Sequence, residues 1–154
     1  MKILVTGGAG FIGSHIIDLL VEKGHEIIIV DDLRTGKKAN VNPKAKLYEV
    51  DITTKDLDSV FDAERPEMVC HQAAQINVRI SLKDPIADAH NNILGTINVL
   101  ECCRKYNVRK IVYASSGGAR YGEPKEIPCS EEHPINPLSP YGISKHTAEH
   151  YVKL

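Results

Sequence analysis

Short runs of strand-forming residues alternate along the chain with longer segments in which apolar residues recur every three or four positions. The predicted strands are residues 2–6, 27–30, 46–50, 68–71 and 110–116. After the first of them, Ile12, Ile16, Leu19 and Leu20 have the spacing of one helix face. Strands that alternate with helices in this way are typical of β–α units, which build a parallel sheet.

Capping residues predict where the helices begin and end. Gly24 is expected to end the first helix, and Thr53 with Asp56 to begin the second as a capping box. A capping residue followed by proline occurs at Asp84-Pro85 and Ser139-Pro140. These pairs predict helices over residues 85–106 and from residue 140 onward. Residues 33–44 and 117–139 contain many turn-forming residues and are predicted loops.

These elements predict a doubly wound α/β fold of the Rossmann type, with a mostly parallel sheet in the strand order 3-2-1-4-5. The length fits one domain, residues 1–154. The last predicted helix is still running at Leu154, with no capping residue after it. Because sheets of this kind normally continue past that helix, we expect a domain that is incomplete at its C-terminus.

Charge and composition exclude some classes of partner. The chain has 19 Lys and Arg against 20 Asp and Glu, so no basic surface for nucleic acid or acidic lipid is indicated. No apolar run approaches the roughly 18–20 residues of a membrane helix, and the first run is too short for a signal peptide. The four cysteines form no C-x-x-C pair and are expected to stay reduced. We expect a soluble, cytoplasmic protein that binds neither nucleic acid nor membranes.

A glycine-rich turn joins the first strand to the first helix. Gly7, Gly10 and Gly13 leave it without side chains, so backbone N–H groups and the positive helix end can approach a pyrophosphate. Asp31 ends the second strand, where a carboxylate binds the adenosine ribose hydroxyls and repels a 2′-phosphate. The pattern predicts a dinucleotide site and favours NAD over NADP. An ordinary tight β–α turn is the alternative interpretation of the glycines.

Five motifs, in order along the chain, carry a resemblance to a known family. They are G-G-A-G-F-I-G at 7–13, Asp51-Ile52, H-Q-A-A at 71–74, N-N-I-L-G-T at 91–96 and Y-G-I-S-K at 141–145. The set resembles the extended short-chain dehydrogenases, in particular the NAD-dependent nucleotide-sugar epimerase/dehydratase group, and is most similar to the UDP-glucose 4-epimerases. The resemblance covers the whole chain. It implies 4-epimerisation of a UDP-hexose by reversible hydride transfer between C4 and NAD, through a 4-keto sugar.

The resemblance also implies which residues bind the cofactor. Asp51 and Ile52 would flank the adenine, Ala73 and Ala74 would lie under the cofactor, and Asn91 would reach it from the long helix. The expected NAD-binding residues are Gly7, Gly10, Phe11, Ile12, Gly13, Asp31, Asp32, Asp51, Ile52, Ala73, Ala74, Asn91, Tyr141 and Lys145. Without the resemblance, Asn91 would be interpreted as a polar residue on a solvated helix face.

Tyr141 and Lys145 are four residues apart at a helix start, so both side chains project from one face. A free tyrosine is a poor base at neutral pH, but an adjacent ammonium group stabilises the phenolate. Tyr141 is therefore the predicted general base toward a sugar hydroxyl, and Lys145 is expected to activate it and to hold the nicotinamide ribose. A tyrosine and a lysine four residues apart are common on helices. The position of this pair after the dinucleotide-binding turn favours the catalytic interpretation.

A hydroxyl residue after the fifth strand is the expected third catalytic residue, yet the position that matches the family's motif is Gly117. We expect Ser116 to take this role, with Ser115 as the second choice and a water or no third residue as further alternatives. The related sugar 4,6-dehydratases have Thr-Asp-Glu here, whereas residues 117–119 are Gly-Gly-Ala, which disfavours dehydration. A UDP-sugar decarboxylase, a 4-keto reductase and a non-catalytic NAD-sensing domain remain as alternatives.

The resemblance further implies a homodimer and a missing part. Helices 85–106 and 140–154 would pair with their copies across the dimer, although covering the sheet also explains their apolar stripes. A C-terminal substrate-binding part would follow residue 154.

Two histidine features are expected to be structural. The motif H-x-x-E-H at 146–150 matches an inverted zinc-protease motif, but no third ligand is identifiable, so no metal is expected. His71 is expected to be a hydrogen-bonded strand residue.

Overall fold

The computed structural model describes residues 1–154, and its centre is one five-stranded sheet. The strands are β1 (Lys2–Thr6), β2 (Glu26–Asp31), β3 (Lys46–Glu49), β4 (Met68–His71) and β5 (Lys110–Tyr113). All neighbouring strands are parallel, in the order β3-β2-β1-β4-β5. This arrangement confirms the predicted fold class and strand order.

Seven α-helices connect or follow the strands. They are α1 (Phe11–Glu22), α2 (Asp56–Glu64), α3 (Val78–Lys83), α4 (Pro85–Ala89), α5 (Gly95–Lys105), α6 (Gly117–Tyr121) and α7 (Pro140–Lys153). A π-helical turn at His90–Leu94 joins α4 to α5, so the long helix predicted over 85–106 is present with one irregular turn. A single 3-10 turn lies at Lys38–Asn40.

Three of the predicted helix boundaries are confirmed. The Asp84 side chain accepts a hydrogen bond from the Ala87 N–H, and the Ser139 side chain accepts one from the Gly142 N–H. Gly24 follows the end of α1 with a φ of +77°, a conformation that glycine adopts without strain.

Other boundaries are wrong. Thr53 does not cap α2, because its N–H and its hydroxyl both donate to Asp51 and the helix begins only at Asp56. Strand β5 ends at Tyr113 rather than at residue 116. Helices α3 and α6 were not predicted, and α6 lies inside the predicted loop 117–139. With six and five residues, they are too short to show a helical period.

Alternate residues of the central strands pack into two hydrophobic clusters, one on each face of the sheet. Leu4 belongs to the cluster that contains Phe61 of α2 and Val99 of α5. Val5 belongs to the cluster that contains Ile17 of α1. None of the helices combines the length and the apolar character that a membrane span requires.

The strand order places one crevice at the carboxyl edge of the sheet. The chain proceeds outward from β1 to β3 on one side and from β4 to β5 on the other. The connections that leave β1 and β4 therefore diverge, and the space between them is where ligands bind in folds of this type.

Candidate functional site

A cavity of about 490 Å³ lies over this crevice. It is lined by segments that follow each of the five strands and by the first two turns of α7. Of the residues predicted to bind the cofactor, it is lined by Gly7, Gly10, Phe11, Ile12, Gly13, Asp31, Asp32, Ile52, Ala73, Ala74, Asn91, Tyr141 and Lys145. Asp51 and Ser116 do not line it, whereas Ser115 does.

The glycine turn is packed too closely for side chains. A Cβ atom at Gly7, whose φ is +68°, would lie 2.6 Å from the backbone nitrogen of Ala73. A Cβ atom at Gly13 would lie 2.3 Å from the carbonyl oxygen of Gly7. Gly10 caps α1 without any side chain, which leaves the first N–H groups of the helix open toward the cavity. The turn therefore has the shape and the polarity that suit a pyrophosphate.

Asp31 holds this turn in place from the end of β2. Its carboxylate is buried and accepts hydrogen bonds from the N–H groups of Ala9 and Leu33, both at 2.9 Å. It thereby ties the glycine turn to the segment after β2. Contact of Asp31 with a ribose stays a prediction.

Arg34 is a cavity residue that the sequence did not reveal. Its Nε donates to Asp32 Oδ2 at 2.5 Å, and its Nη2 donates to Asp51 Oδ2 at 3.1 Å and to Asn91 Oδ1 at 2.9 Å. One guanidinium thus joins three of the predicted cofactor residues, among them Asp51, which does not itself line the cavity. Arg34 lies in the predicted loop 33–44, where no spacing distinguished it from the other polar loop residues.

Tyr141 and Lys145 project from one face of α7 into the cavity, as predicted from their spacing. The Lys145 side chain is buried, and its Nζ lies 4.2 Å from the centre of the Tyr113 ring. Burial lowers the pKa of Lys145 to about 8, although the negative charge of Asp88 acts in the opposite direction. The Lys145 amine can therefore gain or lose a proton close to neutral pH.

The two serines after β5 have different surroundings. Ser115 lies at the cavity and donates its hydroxyl to Glu149 Oε2 at 3.1 Å. Ser116 precedes the first residue of α6, and its side chain makes no capping hydrogen bond. The choice between the two as a catalytic residue stays a prediction.

His71 is the hydrogen-bonded strand residue that was expected. Its Nδ1 lies 2.6 Å from the Thr6 hydroxyl, and its Nε2 lies 3.0 Å from the Thr96 hydroxyl. Burial lowers the pKa of His71 to about 3, and the charge of Lys145 adds to this effect. The ring is therefore neutral at physiological pH.

The H-x-x-E-H segment lies on α7, with His146 Nε2 and His150 Nε2 3.2 Å apart. Glu149 is engaged by Lys153, Arg120 and Ser115. No group of three His, Cys, Asp or Glu side chains is arranged to hold a metal ion.

Comparisons with known proteins agree with this geometry. The chain is 60% identical over 152 residues to a protein of Methanocaldococcus jannaschii named putative UDP-glucose 4-epimerase. This match covers 99% of the chain and 50% of that protein. The crystal structure of Thermus thermophilus UDP-glucose 4-epimerase in complex with NAD superposes with a TM-score of 0.96 at 47% identity. The crystal structure of Thermotoga maritima UDP-glucose 4-epimerase with UDP-glucose superposes with a TM-score of 0.96 at 46% identity.

In both structural comparisons, 99% of this chain matches 50% of the other chain. The chain therefore spans about half the length of the relatives that it matches. The sequence model of the NAD dependent epimerase/dehydratase family matches residues 3–154. The chain belongs to the NAD dependent epimerase/dehydratase family.

Proposed function

We propose that the complete protein is an NAD-dependent nucleotide-sugar 4-epimerase, of the UDP-glucose/UDP-galactose type. The observation that carries this proposal is the placement of Tyr141 and Lys145 in the same cavity as the glycine turn. A tyrosine–lysine pair beside a dinucleotide site suits proton transfer to and from a sugar hydroxyl during redox at the same carbon. The relatives named UDP-glucose 4-epimerase support this choice within the family.

Residues 1–154 form the cofactor-binding part in this proposal. The fit to NAD rests on the glycine turn, whose close packing admits a backbone cradle and no Cβ atom. The turn and the start of α1 would hold the pyrophosphate, Asp31 and Asp32 the adenosine ribose, and the Asp51–Ile52 segment the adenine. Ala73, Ala74 and Asn91 would hold the remainder of the dinucleotide.

The protein's own side chains would manage the proton. Tyr141 takes the proton from the sugar 4-hydroxyl and returns it, while Lys145 stabilises the phenolate by its positive charge. Bound NAD supplies the reversible hydride acceptor for C4. Ser116, or Ser115 in its place, would donate a hydrogen bond to the same sugar oxygen. Because the cofactor is recycled, no net NADH is consumed.

Replacement of Tyr141 by phenylalanine tests the proposal in the complete protein. We expect conversion of UDP-glucose to UDP-galactose to fall by about 10²–10⁴-fold, the usual contribution of a general base, while NAD stays bound. Tyr48→Phe is the matched control, because Tyr48 lies on β3 outside the cavity and also loses one phenol hydroxyl. Full activity of Tyr141→Phe would refute the assignment, and net NADH consumption by the unmodified protein would identify a reductase.

The surface formed by α4, the π-helical turn and α7 supports a homodimer, which we include in the proposal. Ile86, Leu94 and Ile143 are 82%, 54% and 52% exposed on these helices. A pairing of the helices at 85–106 and 140–154 with their copies would cover them. A monomer mass in light scattering of the complete protein would contradict this.

The cysteines support a cytoplasmic location, which is also part of the proposal. All four are free thiols, as is usual for proteins of a reducing compartment.

A further inference from the structure

Asp88 of α4 is a fully buried acidic side chain that no motif indicated. Its Oδ2 accepts a hydrogen bond from the Ser144 hydroxyl at 2.5 Å. Its Oδ1 accepts from the side-chain amides of Gln75 at 2.8 Å and Asn92 at 3.1 Å. Burial of a carboxylate is unfavourable unless such donors surround it, and all three donors here are uncharged. The negative charge is thus held in the interior without a cation in hydrogen-bond contact.

The amide orientations in this cluster are fixed by their other ends. Asn92 Oδ1 accepts from the backbone N–H of Gln75 at 2.8 Å, so its Nδ2 must point toward Asp88. Gln75 Oε1 accepts from the backbone N–H of Asn77 at 2.6 Å, which turns its Nε2 in the same direction. Both amides therefore direct N–H groups at Asp88, whose side chain must act as the hydrogen-bond acceptor.

The cluster joins the segments that surround the cavity. Gln75 follows β4 and lines the cavity, Asn92 lies in the π-helical turn, and Ser144 lies on α7. Ser144 is three residues after Tyr141, so these two side chains are neighbours on one face of the helix, and Lys145 is the next residue, about 100° around the helix axis. The hydrogen bond between Ser144 and Asp88 therefore constrains the rotation of α7 about its axis.

We propose that Asp88 is a positioning residue, which sets the orientation of Tyr141 and Lys145 by binding Ser144 between them. This inference rests on the proposed epimerase function. A displacement of about 1 Å in a catalytic group can lower a rate by about 10²-fold, so a single buried contact can control the reaction without touching the substrate.

Asp88 also acts on Lys145 through its charge. Burial lowers the pKa of Lys145, and Asp88 is the negative charge that opposes this. The other titratable groups near Lys145 are the neutral His71 on β4, Tyr113 on β5 and Tyr141 on α7 itself. Glu149, further along α7, is paired with Arg120 and Lys153. Removal of the Asp88 charge should therefore favour the neutral amine of Lys145.

The test uses Asp88→Asn and Ser144→Ala, singly and combined, in the complete protein with NAD. We expect kcat to fall about 10- to 100-fold in each single variant. KM for the UDP-sugar and Kd for NAD should change by less than about threefold, because neither Asp88 nor Ser144 lines the cavity. Since both changes remove the hydrogen bond from the Ser144 hydroxyl to a carboxylate, the combined variant should be no slower than the slower single variant. Thr147→Ala, which removes a half-buried hydroxyl from the same helix, should keep wild-type kcat.

A second measurement does not depend on activity. The Lys145 ammonium can be titrated by ¹⁵N NMR in NAD-free protein, with its resonance assigned by its loss in Lys145→Met. We expect its midpoint to move to lower pH in Asp88→Asn and to stay unchanged in Thr147→Ala. The alkaline limb of the kcat–pH profile should move in the same direction in Asp88→Asn.

Wild-type kcat in Ser144→Ala would overturn the positioning role, and an unchanged Lys145 midpoint in Asp88→Asn would overturn the effect of the Asp88 charge on Lys145. If Asp88→Asn does not fold, Ser144→Ala alone decides, because it leaves the carboxylate in place. Full activity of Tyr141→Phe would instead refute the epimerase proposal, while the Lys145 titration would still test the effect of Asp88. The two failures are therefore distinguishable.

Discussion

Alanine in place of Gly13 should displace the glycine turn from the first turn of α1. A Cβ atom at this position would lie 2.3 Å from the Gly7 carbonyl oxygen and 2.9 Å from Gly8 Cα. Since Cβ contacts below 3.0 Å are essentially never observed, the start of the helix must move by at least about 0.7 Å. Both neighbouring atoms belong to the backbone, so no side-chain rotation can relieve the clash.

The consequence for binding follows from the hydrogen bonds that a pyrophosphate would accept here. Overpacking of this kind costs roughly 1–3 kcal/mol of folding free energy. A hydrogen bond to a charged group contributes about 1.5–3 kcal/mol, so the loss of one from the helix N-terminus should raise the Kd for NAD about 10- to 100-fold.

Two other glycines provide a graded series for calorimetric NAD titration and urea-induced unfolding. A Cβ atom at Gly10 would meet only the Gly7 carbonyl oxygen, at 3.2 Å, so we expect a smaller loss of affinity. Gly24 has a φ of +77° and no atom within 4 Å of its Cβ position. Gly24→Ala should lower stability by about 1–2 kcal/mol and leave NAD affinity unchanged. Wild-type NAD affinity of Gly13→Ala, or an equal loss of affinity in Gly24→Ala, would show that the Gly13 clash does not control NAD binding.

Two predictions concern stability and pH. The pKa of His71 is lowered to about 3, so the unfolded chain binds a proton that the folded chain does not below its ordinary pKa of 6.5. Stability should fall by up to about 1.4 kcal/mol per pH unit as pH drops from 6.5 toward 3, and His71→Gln should remove this slope in urea unfolding. Equal slopes in both proteins would contradict this. Hydrogen bonds from Lys46 and Tyr48 lower the pKa of Glu64 from 4.5 to about 2. Because Lys46 is solvent-exposed and its charge is screened, Glu64→Gln should cost only about 1–2 kcal/mol at pH 7, a difference that disappears as pH falls from 4.5 to 2. A difference that persists at pH 2 would exclude this explanation.

The strand order and the glycine turn could be predicted because their signals are local. The apolar runs, the glycines and the acidic residue at the end of β2 lie within short stretches of sequence, and the β–α–β rules convert them into one arrangement. The short helices α3 and α6 were missed because five or six residues carry no helical period. Thr53 was misassigned because the Asp51 carboxylate accepts the hydrogen bond from the Thr53 N–H, which Asp56 would accept in a capping box.

Local sequence signals were sufficient to predict the parallel sheet, the glycine turn after β1, and the Tyr141–Lys145 pair on one helix face. Two contacts became visible only in the folded chain. Arg34 joins Asp32, Asp51 and Asn91 across the cavity, and Asp88 accepts a hydrogen bond from Ser144 of α7. Residues 88 and 144 are 56 positions apart, so no periodicity along the chain can relate them. Such contacts exist only once the sheet has brought its helices together, since a buried polar group takes whichever partner the packing places within hydrogen-bond reach.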